Sequence, residues 1–371
     1  MASSRYKMRA GGWAALAAAL SSCLICVSCS GPAAESCKFH NGQGSAAIRF
    51  YAYDEAGTLR IADSMSADEE THPLPLTPGG RVMAAASDCG LTYFIAEEGS
   101  LTFDSKACQV TGGELNAQRR DFELTLSRLR SAASSRYDSA AHQEHLSEDD
   151  RNAELASIVS QEAERMCGYT MRLVTANADN AVGQYAFWFG IAQNRSITED
   201  EYDKLLSRAG AFVSSFPPVA AETRRRKHER ETAAGCKIAD ADLLAACGDS
   251  VRLTQLAQGG RLTVLHIFDP YDNSTPQTLA MLNRLIGHGA KCGGVEVVSI
   301  AEYSGCDIAG RIADKFNLGW PLVADPSGSV CREYGVASLP YFIVADKDGN
   351  IVERGIKENA LTRWVIASLE E

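Results

Sequence analysis

The chain has 371 residues, 45% of them hydrophobic and 22% charged, with a formal net charge of −11. That composition excludes a collagen-like or disordered chain, and the length asks for two or three domains. No basic stripe with interleaved aromatics occurs, so nucleic acid is not expected as a partner; neutralising phosphates needs clustered Lys and Arg. The one basic run, Arg224-Arg225-Arg226-Lys227-His228-Glu229-Arg230, is short and flanked by acids. It reads as a solvated helix face.

The N-terminus reads as an export signal. Arg5, Lys7 and Arg9 precede an apolar stretch over residues 13–25. That stretch is too short to span a bilayer comfortably and fits the core of a signal peptide. It ends in Cys26-Val27-Ser28-Cys29-Ser30-Gly31, which resembles a bacterial lipobox with Cys26 where Leu is usual. The resemblance implies a lipoprotein signal over residues 1–29, acylation of Cys29, and a membrane as partner through that lipid anchor. The expected location is the cell envelope, facing the periplasm. Residues 30–45 are small and polar and read as a tether.

Twelve cysteines are present, nine of them beyond the signal. Export puts these in a compartment where disulfides form. An odd count leaves at least one thiol over. Cys89 and Cys108 flank a predicted hairpin and could bridge; Cys236 and Cys247 could close a small loop. No zinc-type spacing and no His-x-x-x-His set appears, so neither a metal nor a cofactor is expected.

In chain order, residues 46–113 read as a small antiparallel β domain, a sandwich or open barrel. Ile48, Phe50 and Ala52 alternate with Arg49 and Tyr51, and residues 93–96 and 101–103 flank the turn Glu97-Glu98-Gly99-Ser100, a hairpin signal. Residues 114–235 change period and read as helical. Phe122, Leu124, Leu126 and Leu129 begin a stripe. Ser147-Glu148-Asp149-Asp150 and Thr198-Glu199-Asp200-Glu201 look like capping boxes; the helix after the second fades at Gly210, and Pro217-Pro218 reads as the end of this stretch of helices. The cluster Tyr185, Phe187, Trp188, Phe189 reads as packed helix core rather than a pocket lining.

Residues 236–371 alternate strand and helix. The run Thr263-Val264-Leu265-His266-Ile267-Phe268 suits a strand covered on both faces. A helix follows over residues 277–286, a buried strand over 295–300 and a helix over 308–316. A strand over 341–345 turns through Asp346-Lys347-Asp348-Gly349 into Ile351-Val352. Leu361, Trp364, Val365 and Leu369 stripe a terminal helix. The predicted whole is an α+β multidomain chain ending in a mixed α/β sheet with helices on both faces.

Several segments of the last third carry a family likeness. They are Asp249-Ser250-Val251-Arg252-Leu253, the strand to Phe268, Gly319-Trp320-Pro321-Leu322, Tyr334-Gly335-Val336, and Ser338-Leu339-Pro340-Tyr341 leading to the 346–349 turn. In this order they resemble the thioredoxin-like fold, in particular the TlpA/redoxin branch of Gram-negative envelope proteins. The front also resembles a β domain of unassigned function that precedes such domains, through Ala62-Asp63-Ser64, Glu98-Gly99 and Gly112-Gly113-Glu114-Leu115-Asn116. The family activity this implies is thiol–disulfide exchange by a Cys-x-x-Cys pair at a helix start, where the helix dipole favours the thiolate.

That pair is missing. The strand runs into Phe268-Asp269-Pro270-Tyr271-Asp272-Asn273-Ser274-Thr275-Pro276-Gln277, so Asp272 and Thr275 fall at the two cysteine positions. Neither exchanges disulfides, and peroxiredoxin chemistry would need a cysteine in the same loop. Asp272 reads as a helix N-cap with Pro276 in the first turn. The resemblance makes Pro340 a cis-proline, in a loop that could still hold an extended peptide or an envelope protein. The expectation is therefore a non-catalytic binding or scaffold module. The alternative is an oxidoreductase using a relocated thiol. Cys292 has Lys291 beside it, Cys306 is expected to open a helix, and Cys331 lies beside Arg332. A third idea is acid/base work by Asp269 and Asp272.

Overall fold

The computed structural model describes residues 36–370, except 43–46, 144, 258–260 and 290–293. The signal segment with Cys29, and the candidate thiol Cys292, lie outside the described residues. No described helix is long and apolar enough to cross a membrane.

The chain begins with eight strands: β1 (Cys37–Asn41), β2 (Ile48–Tyr53), β3 (Leu59–Met65), β4 (Thr71–Leu74), β5 (Arg81–Ser87), β6 (Gly90–Ala96), β7 (Gly99–Asp104) and β8 (Gln109–Thr111). They form two four-stranded sheets, ordered β4-β1-β7-β8 and β3-β2-β5-β6. Alternate residues point inward, and Phe39 and Phe103 of one sheet meet Phe50 and Phe94 of the other. The result is a sandwich, antiparallel except where β1 runs parallel to β7.

Two expectations fail here. The segment 30–45 is not all tether, because Cys37 and Phe39 are buried and make β1 an inner strand of its sheet. Two inward side chains on one five-residue strand outweigh its polar neighbours. Nor do β6 and β7 pair as a hairpin; the chain crosses from one sheet to the other between them. The turn is used differently. Glu97 turns inward, and its carboxylate accepts from the backbone N–H groups of Leu115 and Asn116 at 2.9 and 2.8 Å. A side chain of the sandwich thus satisfies N-terminal donors of the first helix. Gly113 permits the approach, since a Cβ there would overlap the Glu97 carboxylate. Cys89 and Cys108, one of the two pairings left open, form a disulfide that staples a turn of each sheet.

The helical part comprises α1 (Glu114–Ala141), α2 (Glu148–Ala176), α3 (Ala181–Phe187), a π-turn over Trp188–Ala192, α4 (Glu199–Ala209), α5 (Ala211–Ser214) and α6 (Pro217–Glu231). Ser147 accepts from the Asp150 N–H, and Thr198 with Glu201 completes a reciprocal capping box. Tyr185 and Phe187 are core, packed with Phe122 and Val182. Leu124 is exposed and off the stripe. Pro217 and Pro218 do not close the helical stretch but open α6, because the first turn needs no N–H from them.

The basic run on α6 is a solvated face only in part: Arg224, Lys227 and Arg230 are exposed, but Arg225 and Arg226 turn inward. Arg226 is 3% exposed, stacks on the Tyr202 ring, and pairs with Glu222 and Glu199 at 2.9 Å each. Arg225 pairs with Glu222 and Glu229 and donates to the Gly335 carbonyl in the last part of the chain. Of the acids flanking the run, Glu222 is a buried partner, while Glu229 and Glu231 remain partly exposed.

The last part holds β9 (Asp242–Leu244), β10 (Ser250–Arg252), α7 (Leu253–Leu256), β11 (Leu262–Phe268), α8 (Thr275–Gly289), β12 (Val295–Glu302), α9 (Cys306–Phe316), β13 (Leu322–Asp325), α10 (Ser329–Glu333), β14 (Tyr341–Asp346), β15 (Ile351–Arg354) and α11 (Glu358–Glu370). Seven strands form one sheet, ordered β10-β9-β13-β12-β11-β14-β15. Strand β11 is buried at every position; it runs parallel to β12 and antiparallel to β14. Helices α8 and α11 cover one face through Leu279, Leu282, Leu361 and Val365. Val330 and Tyr334, with Leu253, cover the other. At about 2 kcal/mol for each buried Leu or Val, these contacts hold the layers together. A β-α-β unit followed by a β-hairpin and a terminal helix is a thioredoxin-like domain.

Candidate functional site

Because β11, β12 and β13 are parallel, their carboxyl ends share one edge of the sheet, where ligands of open α/β sheets bind. Strand β14 begins at that edge. Its register sets Tyr341 against Ile267, so Pro340 stands across from Phe268. The Leu339–Pro340 peptide bond is cis, as the family likeness implied. The topology therefore brings the 268–275 loop and the Pro340 loop side by side.

The first of these loops is closed on itself by oxygen groups. The Asp269 carboxylate accepts from the Tyr271 N–H at 2.9 Å. Asp272 accepts from both the backbone N–H and the hydroxyl of Ser274, at 2.7 and 2.6 Å, which holds its carboxyl below the usual range. Helix α8 opens only at Thr275, so Asp272 lies upstream of it. It closes an Asx turn and is not the helix cap expected of it. Thr275 is 6% exposed, and its hydroxyl donates to the Asp269 carbonyl at 3.0 Å. The position of the inner cysteine is thus filled by a satisfied hydroxyl, and that of the outer one by an exposed carboxylate. Asp269 and Asp272 are both tied into turn bonds, which disfavours the acid/base idea.

The candidate thiols divide. Cys306 is the first residue of α9, as expected, and is half-buried. Cys331 lies on α10, half-buried beside Glu302, which accepts its backbone N–H at 3.0 Å. Burial, and then the nearby Glu302 carboxylate, push the Cys331 thiol strongly up. Such a thiol is a poor nucleophile. Cys236 and Cys247 do not bridge; both are free. Cys236 Sγ lies 3.9 Å from the Arg230 carbonyl, and Cys247 Sγ lies 3.2 Å from Asp249 Oδ2.

The edge also holds residues that the sequence reading missed. Glu302 ends β12, is 2% exposed, and leaves Oε2 without a hydrogen-bond partner. Burial, with Asp325 adding, pushes its carboxyl up to about 7. An acid closing the apolar run Val295-Glu296-Val297-Val298-Ser299-Ile300-Ala301-Glu302 was the available signal. Tyr303 follows with φ +50°, an outlier for a bulky residue. Its ring fills the space over Gly328, where a Cβ would overlap it. Tyr303 and Tyr271 are 67% and 73% exposed.

No family model matches the chain, and no curated protein matches it. Among solved structures, similar ones include a hypothetical protein from Sinorhizobium meliloti (21% identity, TM-score 0.33, covering 37% of this chain and 85% of that one). Another is the thioredoxin domain of a thiol-disulfide oxidoreductase from Bacteroides vulgatus (15% identity, TM-score 0.33, 37% and 98%). A third is a peroxidoxin from Mycobacterium tuberculosis (20% identity, TM-score 0.33, 37% and 96%). The strand order β10-β9-β13-β12-β11-β14-β15 is by itself that of a thioredoxin-like domain.

Behind the Pro340 loop, a cavity of about 510 Å³ separates it from α6, with Arg195, Arg230 and Ser338 on its wall. Arg354 closes its floor. That guanidinium donates to the carbonyls of Glu229 and Thr232 at 3.1 and 2.9 Å and to the Tyr334 carbonyl at 2.6 Å. Helical region and sheet are therefore pinned together next to the proline loop.

Proposed function

We propose that this chain is a thioredoxin-fold binding module whose Pro340 edge holds an extended polypeptide without exchanging disulfides through the usual loop. The observation that carries the reading is the 268–275 loop, whose two dithiol positions are an Asx-turn carboxylate and a bonded hydroxyl. Two exposed tyrosines on the same carboxyl edge of the sheet, Tyr271 in the loop after β11 and Tyr303 after β12, supply apolar surface for a peptide. The lipobox-like Cys29 supports a further element of the proposal, tethering to an envelope membrane in the TlpA/redoxin manner.

The test pairs two assays on the same protein. Insulin reduction with dithiothreitol is expected at background. Binding of a carboxymethylated, unfolded protein is expected by fluorescence anisotropy, weakening about fivefold per substitution in Tyr271→Ala and Tyr303→Ala, the loss of ~1 kcal/mol each. Absence of binding, or insulin turnover in Cys306→Ser, overturns the reading.

A second reading has its own observation. Cys306 stands at the first position of α9, on the same side of the sheet as the edge. It supports thiol–disulfide exchange from a relocated thiol, and loss of any insulin turnover in Cys306→Ser alone would favour it.

A further inference from the structure

The tight turn joining β9 to β10 is closed by the Gly248 N–H to the Ala245 carbonyl at 2.8 Å and by the Ala245 N–H to the Asp249 carbonyl at 2.9 Å. This turn lies against the first turns of α9. A Cβ built on Gly248 would stand 3.9 Å from Cys306 Sγ, and one built on Gly310 would stand 3.5 Å from the Ala246 methyl. Gly248 has φ +91°, so the chain doubles back there with no side chain between the turn and the sulfur. Cys247 is the residue before Gly248, and it is exposed. Cys306 Sγ therefore borders the seam at Gly248, and Cys247, 59 positions away in the sequence, is the neighbouring residue of that turn, one Cα spacing of 3.80 Å along the chain.

The remaining described free thiols are placed differently. Cys37 is inside the sandwich core, Cys167 is on α2, Cys236 follows α6, and Cys331 is held protonated beside Glu302. Cys247 is the accessible one and Cys306 the half-buried one, the arrangement of an attacking and a resolving thiol.

We propose that Cys247 and Cys306 form a dithiol centre that reduces an external disulfide and is left as an internal disulfide. Cys247 gives up its proton, attacks one sulfur of the external disulfide and expels the first thiol, leaving a mixed disulfide. Cys306 gives up its proton, attacks the Cys247 sulfur and expels the second. Two protein thiols are oxidised to one disulfide, and the external disulfide is reduced to two thiols. To close the bridge, Cys247 Sγ leaves Asp249 Oδ2 and turns into the seam. The closed form would fasten the β9–β10 turn to the start of α9, three residues past Tyr303. This deepens the second reading above, on which it rests, by naming the partner of Cys306.

The full-length reduced chain is treated with oxidised glutathione, digested without reduction and mapped by mass spectrometry. Residues 238–252 carry Cys247, whereas Cys306 shares the tryptic fragment 292–311 with Cys292. Fragment-ion sequencing therefore decides which sulfur is bridged. The expected result is a Cys247–Cys306 crosslink with no glutathione retained on either residue, and a stable glutathione adduct on Cys247 in Cys306→Ser. A glutathione adduct on Cys306 without the crosslink overturns the pair but leaves Cys306 as a reactive thiol. Modification of neither residue overturns both the pair and the second reading. A crosslink from Cys247 to Cys292, Cys236 or Cys331 also overturns the pair.

Discussion

His266 lies in the middle of β11, sealed in the sheet, and stacks between Phe268 and Phe342 with ring centroids 4.7 and 5.1 Å away. The Trp320 indole donates to Ser299 Oγ at 2.9 Å, and Ser299 Oγ shares a hydrogen bond with His266 Nδ1 at 3.1 Å, while the ring's Nε2 has no partner. Burial lowers the pKa of this imidazole from 6.5 to about 3. The unfolded chain therefore binds more protons between those values, and stability is lost as pH falls through the window. From pH 7 to pH 4.5 the loss assignable to His266 is ~2.5 kcal/mol, at ~1.4 kcal/mol per pH unit below 6.5. Urea unfolding followed by tryptophan fluorescence measures it, and Trp320 is a nearby reporter. In His266→Gln, which keeps a polar group for Ser299 and does not titrate, the acid-induced loss should be smaller than in wild type by that amount. Carboxylates common to both proteins cancel in the difference. Equal losses in the two proteins would refute the account of a neutral, sealed imidazole.

Other consequences are open to similar measurement. Serine at both Cys89 and Cys108, whose sequence separation is 19, should cost about 3 kcal/mol of stability by denaturant midpoint; reductant should then shift wild type but not the variant. Glu302 titrates in the opposite sense. Its folded pKa of about 7 exceeds the ordinary 4.5, so its contribution is complete below 4.5 and is lost as pH rises through 7. Glu302→Gln should therefore gain up to about 3 kcal/mol on wild type between pH 5 and pH 8, and a pH-independent difference would argue against a buried acid. Arg226→Ala strands part of the Glu222 charge in a buried site and should cost about 3 kcal/mol, read by thermal unfolding. Arg226→Lys should recover only part of it, because the guanidinium bonds Glu222, Glu199 and two backbone carbonyls at once.

The sheet of the last part was readable because each buried strand is an unbroken apolar run and each helix carries a stripe; β11 and α11 need nothing else to be placed. Pro340 and the two substituted dithiol positions followed from the order of short segments. What escaped was set by contacts distant in sequence. The stretch holding β1 is too short and polar to announce a strand until Phe39 meets Phe50, and Glu97 looks like a turn residue until Gly113 lets α1 come to it. The local sequence around the arginines of α6 hides that Glu199, some thirty residues earlier, is an ion partner. The seam between Gly248 and Cys306 depends on the strand order of a seven-stranded sheet, which no local pattern encodes.

Arg354 also bears on how this chain can be cut or borrowed. Its guanidinium fastens the end of α6 to the strand hairpin, across the boundary at residue 236 that composition suggests. A fragment beginning there would keep the Tyr334 carbonyl but lose those of Glu229 and Thr232, and would open the wall behind Pro340. The thioredoxin-like part therefore does not behave as an interchangeable cartridge. It is sold with its mounting bracket, and the proline edge faces its surroundings at one angle fixed by the helices before it.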